Sequence, residues 1–494
     1  MQPARERLRS LPSPTELDAP SSPSLVALPA PGPRRDPTPS TGYDSHKRLI
    51  DRRVLRTLPK VAEDAALSPS SKTARIAFAL AVVAFFGVSL VTSVVTTLLT
   101  SSSWVVLTVT TFGVAVTAFF VATCIAASRY KPVPSHDDAR LPMITLIVPA
   151  YNEGANVRVA FESALASDYP ADRLEILAID DGSKDDTWAH IEAVAAAHPG
   201  RIVAIKQPKN GGKREALRTG FLRAEGELVV TVDSDSKIEP TALRAIVAPM
   251  IDDDSIAAVA GRVLVLNREA NWLTQILSAR FFLTFDLARA AQSRAGAVLC
   301  TPGALSAYRK SAVDEVLERW STQTFMGQPC TIAEDRALTT WLLRSGHRSV
   351  YQRSAVVRTI MPTTFARVAR MLVRWERGNI REDLVMLPLL FTRWRDRDRL
   401  WPALEVGFEL CQYPVAWLSL GLLVARVIDH PTALIGIAGC VALGAVVQSL
   451  WILRSSRLAD FVYGVQYALF AFIGLQWVFP YSLITVRDGR WLTR

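Results

Sequence analysis

The chain has 494 residues, of which 50% are hydrophobic and only 21% charged, with a formal net charge of +10. That balance excludes a disordered polyelectrolyte and lies below the ~25% charge of an ordinary soluble enzyme, whereas a soluble domain diluted by several uncharged spans of ~20 residues fits it. In such a chain the basic excess marks cytoplasmic flanks and anionic lipid, so a lipid bilayer is the expected partner and nucleic acid is not. Five cysteines with no C-x-x-C pair and an odd count fit a reducing compartment.

Residues 1–72 hold ten prolines in their first forty positions and lack apolar periodicity, which predicts a disordered basic tail. No charged n-region leads into an apolar core there, so a cleaved signal peptide is not expected. The cluster Lys47, Arg48, Arg52, Arg53, Arg56 and Lys60 closes the tail. Two uncharged runs follow, 76–99 and 104–127, separated by four hydroxyl residues; they predict a two-helix transmembrane hairpin over 73–130 that returns to the cytoplasmic face.

Over 140–365 the composition becomes that of an α/β domain. The run 143–149 is β-branched and ends in proline, as a buried parallel strand does, and a helix is predicted over 153–167. Further strands are predicted at 174–179, 202–205, 227–232 and 256–266, with a helix at 185–198. Strands alternating with helices predict a mostly parallel sheet with ligands at the strand carboxyl ends.

Basic, aromatic and aliphatic residues then recur at helical spacing over 366–402, with nine arginines between 367 and 399, and predict helices lying in the membrane interface. About three further spans are predicted over 404–486, with a basic tail over 487–494. Two spans plus three would leave the C-terminus outside, yet Arg487, Arg490 and Arg494 favour the cytoplasm. A break of the last span near Pro480 into a re-entrant pair would restore an even count.

Five constellations carry chemistry. Asp233-Ser234-Asp235 leaves the end of a predicted strand, and two carboxylates plus diphosphate oxygens suit Mg²⁺ or Mn²⁺. Asp180-Asp181-Gly182-Ser183 ends a second strand, where carboxylates can hydrogen-bond a base or ribose. Asn210-Gly211-Gly212-Lys213-Arg214 offers flexible backbone and two cations to a phosphate. Glu334-Asp335-Arg336 opens a predicted helix and is either a cap or a general base. Arg374-Trp375 offers a guanidinium to a diphosphate and an indole to a pyranose face, or simply packs.

In this order the motifs resemble those of processive, membrane-embedded family 2 glycosyltransferases, the group of hyaluronan, chitin-oligosaccharide and cellulose synthases. The resemblance covers about 75–494. It implies a GT-A-like α/β catalytic domain inserted between transmembrane helices of the cell membrane and facing the cytoplasm. Val148-Pro149-Ala150-Tyr151-Asn152-Glu153 resembles the family's nucleotide-pocket turn, which puts Tyr151 and Glu153 at the donor. Asp180 and Asp181 match its uridine-binding acidic pair, Lys213 its diphosphate-side lysine, and Asp233 and Asp235 its D-x-D, with the metal on Asp235. Asp335 falls on the general base. Cys300-Thr301-Pro302-Gly303 begins a segment similar to one lining the acceptor side, implicating Cys300 and Gly303. Arg374 and Trp375 match the end of Q-x-x-R-W, with Trp375 at the channel mouth, but the glutamine position holds Met371. The closing Trp491-Leu492-Thr493-Arg494 is like W-x-T-R.

The resemblance implies transfer from a nucleotide-sugar donor, UDP-linked, to a growing glycan acceptor with inversion at the anomeric carbon. Two alternatives stand beside it: a non-processive transferase adding one sugar to a lipid or short acceptor, and a membrane scaffold with an inactive transferase domain.

Overall fold

The computed structural model describes residues 103–391, 400–454 and 458–489, all within the chain unit Glu63–Arg494. The predicted tail 1–72, the first predicted span 76–99, the basic run 393–399 and the closing 491–494 lie outside the described residues.

Helix α1 (Ser103–Ser128) covers the second predicted span and leads into β1 (Ile144–Ala150), α2 (Val157–Leu165), β2 (Leu174–Asp180), α3 (Thr187–Ala197), β3 (Ile202–Lys206) and α4 (Lys213–Arg223). The helix predicted to start at 153 starts later because Asn152 turns the chain with a φ of 54° and Gly154–Asn156 form a single 3-10 turn. Next come β4 (Leu228–Thr231), β5 (Ser236–Ile238), α5 (Ala242–Asp252), β6 (Ile256–Val265), α6 (Trp272–Phe281), a π-helical turn (Phe282–Ala288) and α7 (Arg289–Arg294). Strand β7 (Ser306–Arg309), α8 (Lys310–Ser321), the short hairpin β8 (Thr324–Phe325) and β9 (Gln328–Pro329), α9 (Glu334–Arg344) and β10 (Arg348–Thr359) complete the domain.

Among the described residues one sheet of eight strands runs in the order β3-β2-β1-β4-β7-β6-β10-β5. β1 pairs in parallel with β2 and β4, β2 with β3, and β6 with β10. The sheet is mixed, because β7 runs antiparallel between β4 and β6 and β5 antiparallel to β10. Every residue of β1 is buried, as expected of a central strand covered on both faces. Its two-residue period sends Leu146 and Val148 to one face, against α2, α3, α5 and α6, and Ile147 to the other, against α4, α8 and α9. Each such fully buried aliphatic side chain contributes roughly 1.5–3 kcal/mol. The register pairs Ala150 with Asp180, so the segments that follow β1 and β2 leave the same sheet edge.

Helix α10 (Phe365–Met386) holds the predicted interface region. Its Val368, Met371, Leu372 and Val373 join the sheet core, but Arg377, Arg381, Glu382 and Asp383 are buried too. They are tolerated because each has a partner: Arg381 donates to Glu382 at 3.0 Å, Asp383 pairs with Arg336, and Arg377 donates to Thr485 Oγ1 at 2.9 Å. The charges of this helix therefore face protein as well as solvent, which a simple amphipathic surface helix does not do.

Helices α11 (Leu400–Asp429), α12 (Ala433–Ser449), α13 (Leu458–Gly474) and α14 (Val478–Ile484) follow. Among the described residues no single helix is long and apolar enough to cross a membrane, whereas α13 and α14, bent by 50°, meet that test together. The break falls at 475–477 rather than at Pro480, which sits in the first turn of α14 where a missing N–H costs no intrahelical bond.

Candidate active site

Helices α4 and α9 pack on the same sheet face through Ala216, Leu217 and Phe221 on one and Ala337, Leu338 and Leu342 on the other. Their N-termini therefore meet beside the end of β4. Lys213, the first residue of α4, places Nζ 2.5 Å from Asp233 Oδ1 and 2.8 Å from Glu334 Oε1. Trp320 Nε1 donates to the Glu334 carbonyl at 2.9 Å, tying α8 to the start of α9. Asp335 accepts from the backbone N–H of Gly303 at 2.9 Å and from that of Arg336 at 2.8 Å. A Cβ at Gly303 would lie 2.6 Å from Lys213 Nζ and 3.4 Å from Asp233 Oδ1, so glycine here lets the ammonium keep its present position.

The charges shape each other. Burial alone would lower the Lys213 pKa, but Asp233, Glu334 and Asp335 overcome it and hold the ammonium above its ordinary range. Burial would raise Glu334, yet Lys213 and, more weakly, Arg374 pull it down to about 2. Asp335 moves the other way: burial and then the Glu334 carboxylate push its pKa up, against Lys213 and the two N–H donors. Two adjacent carboxylates at one helix start are thus driven apart, one fixed as an anion and the other given affinity for a proton. Glu334 entered the sequence reading only as part of a helix-start motif, and its contact with a lysine 121 positions earlier left no local signal.

The remaining donor-side candidates group around the ends of β1 and β2. The Asp181 carboxylate accepts from the N–H groups of Gly211 and Gly212 at 2.8 and 2.9 Å, fixing the turn that starts α4 and so the root of Lys213. Asp180 is fully buried and accepts from the Ser183 N–H at 3.2 Å, holding the turn below it. Tyr151 is half-buried. Glu153 is buried, and its N–H donates to Thr187 Oγ1 at 2.8 Å. Asp235 accepts from Thr359 Oγ1 at 3.4 Å, next to Asp233.

On the other side, the Cys300 carbonyl accepts from Arg289 at 2.9 Å, and burial, then Asp335, pushes its thiol up to about 12, so it stays protonated. Arg374 reaches the charge cluster through its effect on Glu334. Trp375 points elsewhere. Its ring lies 6.1 Å from that of Phe281 and lines a cavity of about 230 Å³ with Arg280, Asn379, Trp417 and Tyr467. Met371, at the position of the family glutamine, is buried in the core and lines neither site.

Among the described residues no three His, Cys, Asp or Glu side chains converge to hold a metal unaided. Asp233 and Asp235 supply two hard oxygen donors one residue apart, a set that fits Mg²⁺ or Mn²⁺ when a diphosphate completes the shell.

The sheet thus gathers carboxylates and a lysine at one edge, with an aspartate of raised pKa beside them, on an α/β fold. Residues 142–378 match the family model described as Glycosyltransferase like family 2. An N-acetylglucosaminyltransferase of Azorhizobium caulinodans is 30% identical over 387 residues, 76% of this chain and 94% of that protein. One of Rhizobium meliloti (strain 1021) is 32% identical over 363 residues, 72% and 82% of the two chains. The chain therefore belongs to the family 2 glycosyltransferases and is an enzyme of glycosyl transfer. A mannosyltransferase of Pyrobaculum calidifontis, solved in complex with GDP-Man and Mn²⁺, matches with a TM-score of 0.53 over 73% of this chain and 98% of that one. At 21% identity this shows the GT-A-like fold alone.

Proposed function

We propose that this chain is a processive, membrane-embedded inverting transferase that polymerises a β-linked polysaccharide of hyaluronan, chitin or cellulose type from a UDP-linked sugar and passes it through the membrane. The names of the relatives favour N-acetylglucosamine as the sugar. The observation that carries the reading is Asp335, oriented by two backbone N–H groups and raised in proton affinity, beside the Lys213–Asp233 pair.

In this reading Tyr151 and Asp181 receive the uracil and Glu153 and Asp180 shape its pocket, while Lys213 and Arg374 face the diphosphate oxygens. Asp235, with Asp233 beside it, holds Mg²⁺ or Mn²⁺, which when bound supplies charge neutralisation for the departing diphosphate. Asp335 takes the proton of the acceptor hydroxyl as its oxygen attacks the anomeric carbon from the face opposite the diphosphate, so an α-linked donor gives a β-linked product. Cys300 and Gly303 line the acceptor approach. The indole rings of Trp375 and Trp417 offer pyranose faces a stacking surface in the cavity on the membrane side. The chain is read as a multi-pass protein of the cell membrane with its catalytic domain in the cytoplasm.

Turnover of a panel of UDP and GDP sugars by the purified full chain, with sizing of the product, tests this. A β-linked oligomer or polymer from UDP-N-acetylglucosamine is expected. A single-sugar adduct on lipid would sink the processive reading, and absence of turnover with every donor would sink the donor assignment as well.

A further inference from the structure

We propose that Lys213 is the resident counter-cation of Asp233 in the donor-free enzyme, and that a divalent metal gains Asp233 only together with a nucleoside diphosphate that draws the ammonium away. This rests on the donor site assigned above and adds an order of events to it. The ammonium is already engaged twice, 2.5 Å from Asp233 and 2.8 Å from Glu334, and it lies against the bare backbone of Gly303. The Glu334 carboxylate is almost wholly buried, with its side chain 4% exposed, whereas that of Asp233 is 32% exposed. The open partner is the one a ligand can compete for, and the buried one serves as a pivot that keeps the lysine in the site.

The metal's side of the exchange points the same way. The chain gathers no third protein ligand among the described residues, so a bare cation meets two carboxylates, one of which already carries an ammonium. A metal alone would bring two positive charges up to that ammonium. A metal arriving with a diphosphate adds little net charge, gains phosphate oxygens as ligands, and gives Lys213 an acceptor to replace Asp233. Each ligand then strengthens the binding of the other, a coupling that typically reaches 5–150-fold.

The test is Mn²⁺ binding to the detergent-purified full chain, read by the electron paramagnetic resonance signal of free Mn²⁺, with and without UDP. Wild type is expected to bind Mn²⁺ weakly alone and at least about tenfold more tightly with UDP. Lys213→Met should bind Mn²⁺ without UDP at least about tenfold more tightly than wild type, and UDP should then add little. The Lys213→Met/Glu334→Gln variant leaves no buried carboxylate unpaired and should show the same gain if the single variant folds poorly. Adding Asp233→Asn should remove the gain, since competition acts through that carboxylate, whereas a general field effect would persist. Tight UDP-independent binding by wild type, or an unchanged affinity in both Lys213 variants, would overturn the inference while leaving sugar transfer intact. Loss of the UDP effect together with loss of all donor turnover would instead strike the donor site itself.

Discussion

Lys213 and Glu334 are the first residues of two helices far apart in sequence, and their charged atoms meet at 2.8 Å. The positive end of a helix dipole favours the two carboxylates at the start of α9 and disfavours a lysine at the start of α4, so the carboxylates offset what the lysine loses. The pairing leaves Glu334 ionised at any working pH and makes Asp335, the next residue, the group that responds to protons.

A pH profile follows from that difference. Asp335 must be ionised to accept a proton, and its pKa is raised by burial and by Glu334. Turnover should therefore fall as pH drops through a value above the ordinary aspartate range. Glu334→Gln removes the neighbouring negative charge and leaves Lys213, both of which lower the Asp335 pKa. The acid limb of kcat/KM should move to lower pH; a limb that stays put or moves upward would mean that another group governs it.

Asp335→Asn keeps the shape of the side chain and removes its basicity. Loss of a general base typically costs about 10²–10⁴-fold in rate. Turnover should fall into that range while UDP affinity, measured by calorimetry, stays near wild type, because the proposed role of Asp335 is toward the acceptor hydroxyl and not the nucleotide. Undiminished product formation would strip Asp335 of the role.

Gly303→Ala tests how tightly the cluster is built. The added Cβ would meet Lys213 Nζ at 2.6 Å, the far end of a flexible side chain, so the fold can absorb it by swinging the ammonium aside. The melting temperature should barely change. Misplacing a catalytic group by about 1 Å can cost ~10²-fold, so kcat/KM should fall by one to two orders of magnitude. An unaffected enzyme would mean that Lys213 has no fixed station.

The gathering of the proposed donor residues at one sheet edge was legible in the sequence because strand ends announce themselves: the runs predicted to close at Pro149, Ile179 and Val232 are each followed by polar residues. The segment from Cys300 was legible only by resemblance, since nothing local reveals that β7 enters the sheet antiparallel between β4 and β6. Least legible was α10. Periodicity assigns its arginines to a membrane-interface face, but burial of Arg381, Glu382 and Asp383 depends on partners such as Gln323 and Arg336 from other elements. Charge pairs between distant positions leave no mark on a hydropathy pattern.

The approach of α10 to the catalytic loop makes a separate prediction. Ala333, just before α9, has a left-handed φ of 55°, and a Cβ at Gly378 would meet its Cβ at 2.3 Å. Neither group can swing away, so Gly378→Ala should cost about 1–3 kcal/mol, as overpacking does. Ala333→Gly removes the opposing methyl and relaxes the left-handed backbone. The double variant should therefore recover most of the lost stability in a thermal melt; simple addition of the two effects would show that the clash lies elsewhere.

Helix α13 has 17 residues and α14 has 7, about 25 Å and 10 Å of rise, with a 50° bend between them. Neither alone matches the ~30 Å hydrocarbon core. Beyond α14 the chain is held against the catalytic domain: Arg377, 1% exposed, donates to Thr485 and pairs with Asp488 at 3.4 Å, and Thr331 Oγ1 donates to the Gly489 carbonyl at 2.5 Å. In the membrane reading proposed above, a segment that touches Thr331, three residues before Glu334, lies on the same side of the bilayer as the Lys213 cluster. In a variant with the native cysteines replaced by serine, the exposed position Arg487→Cys should react with a membrane-impermeant thiol reagent in inside-out vesicles and be protected in intact cells. Labelling in intact cells instead would make the pair a full crossing and separate the tail from the catalytic domain.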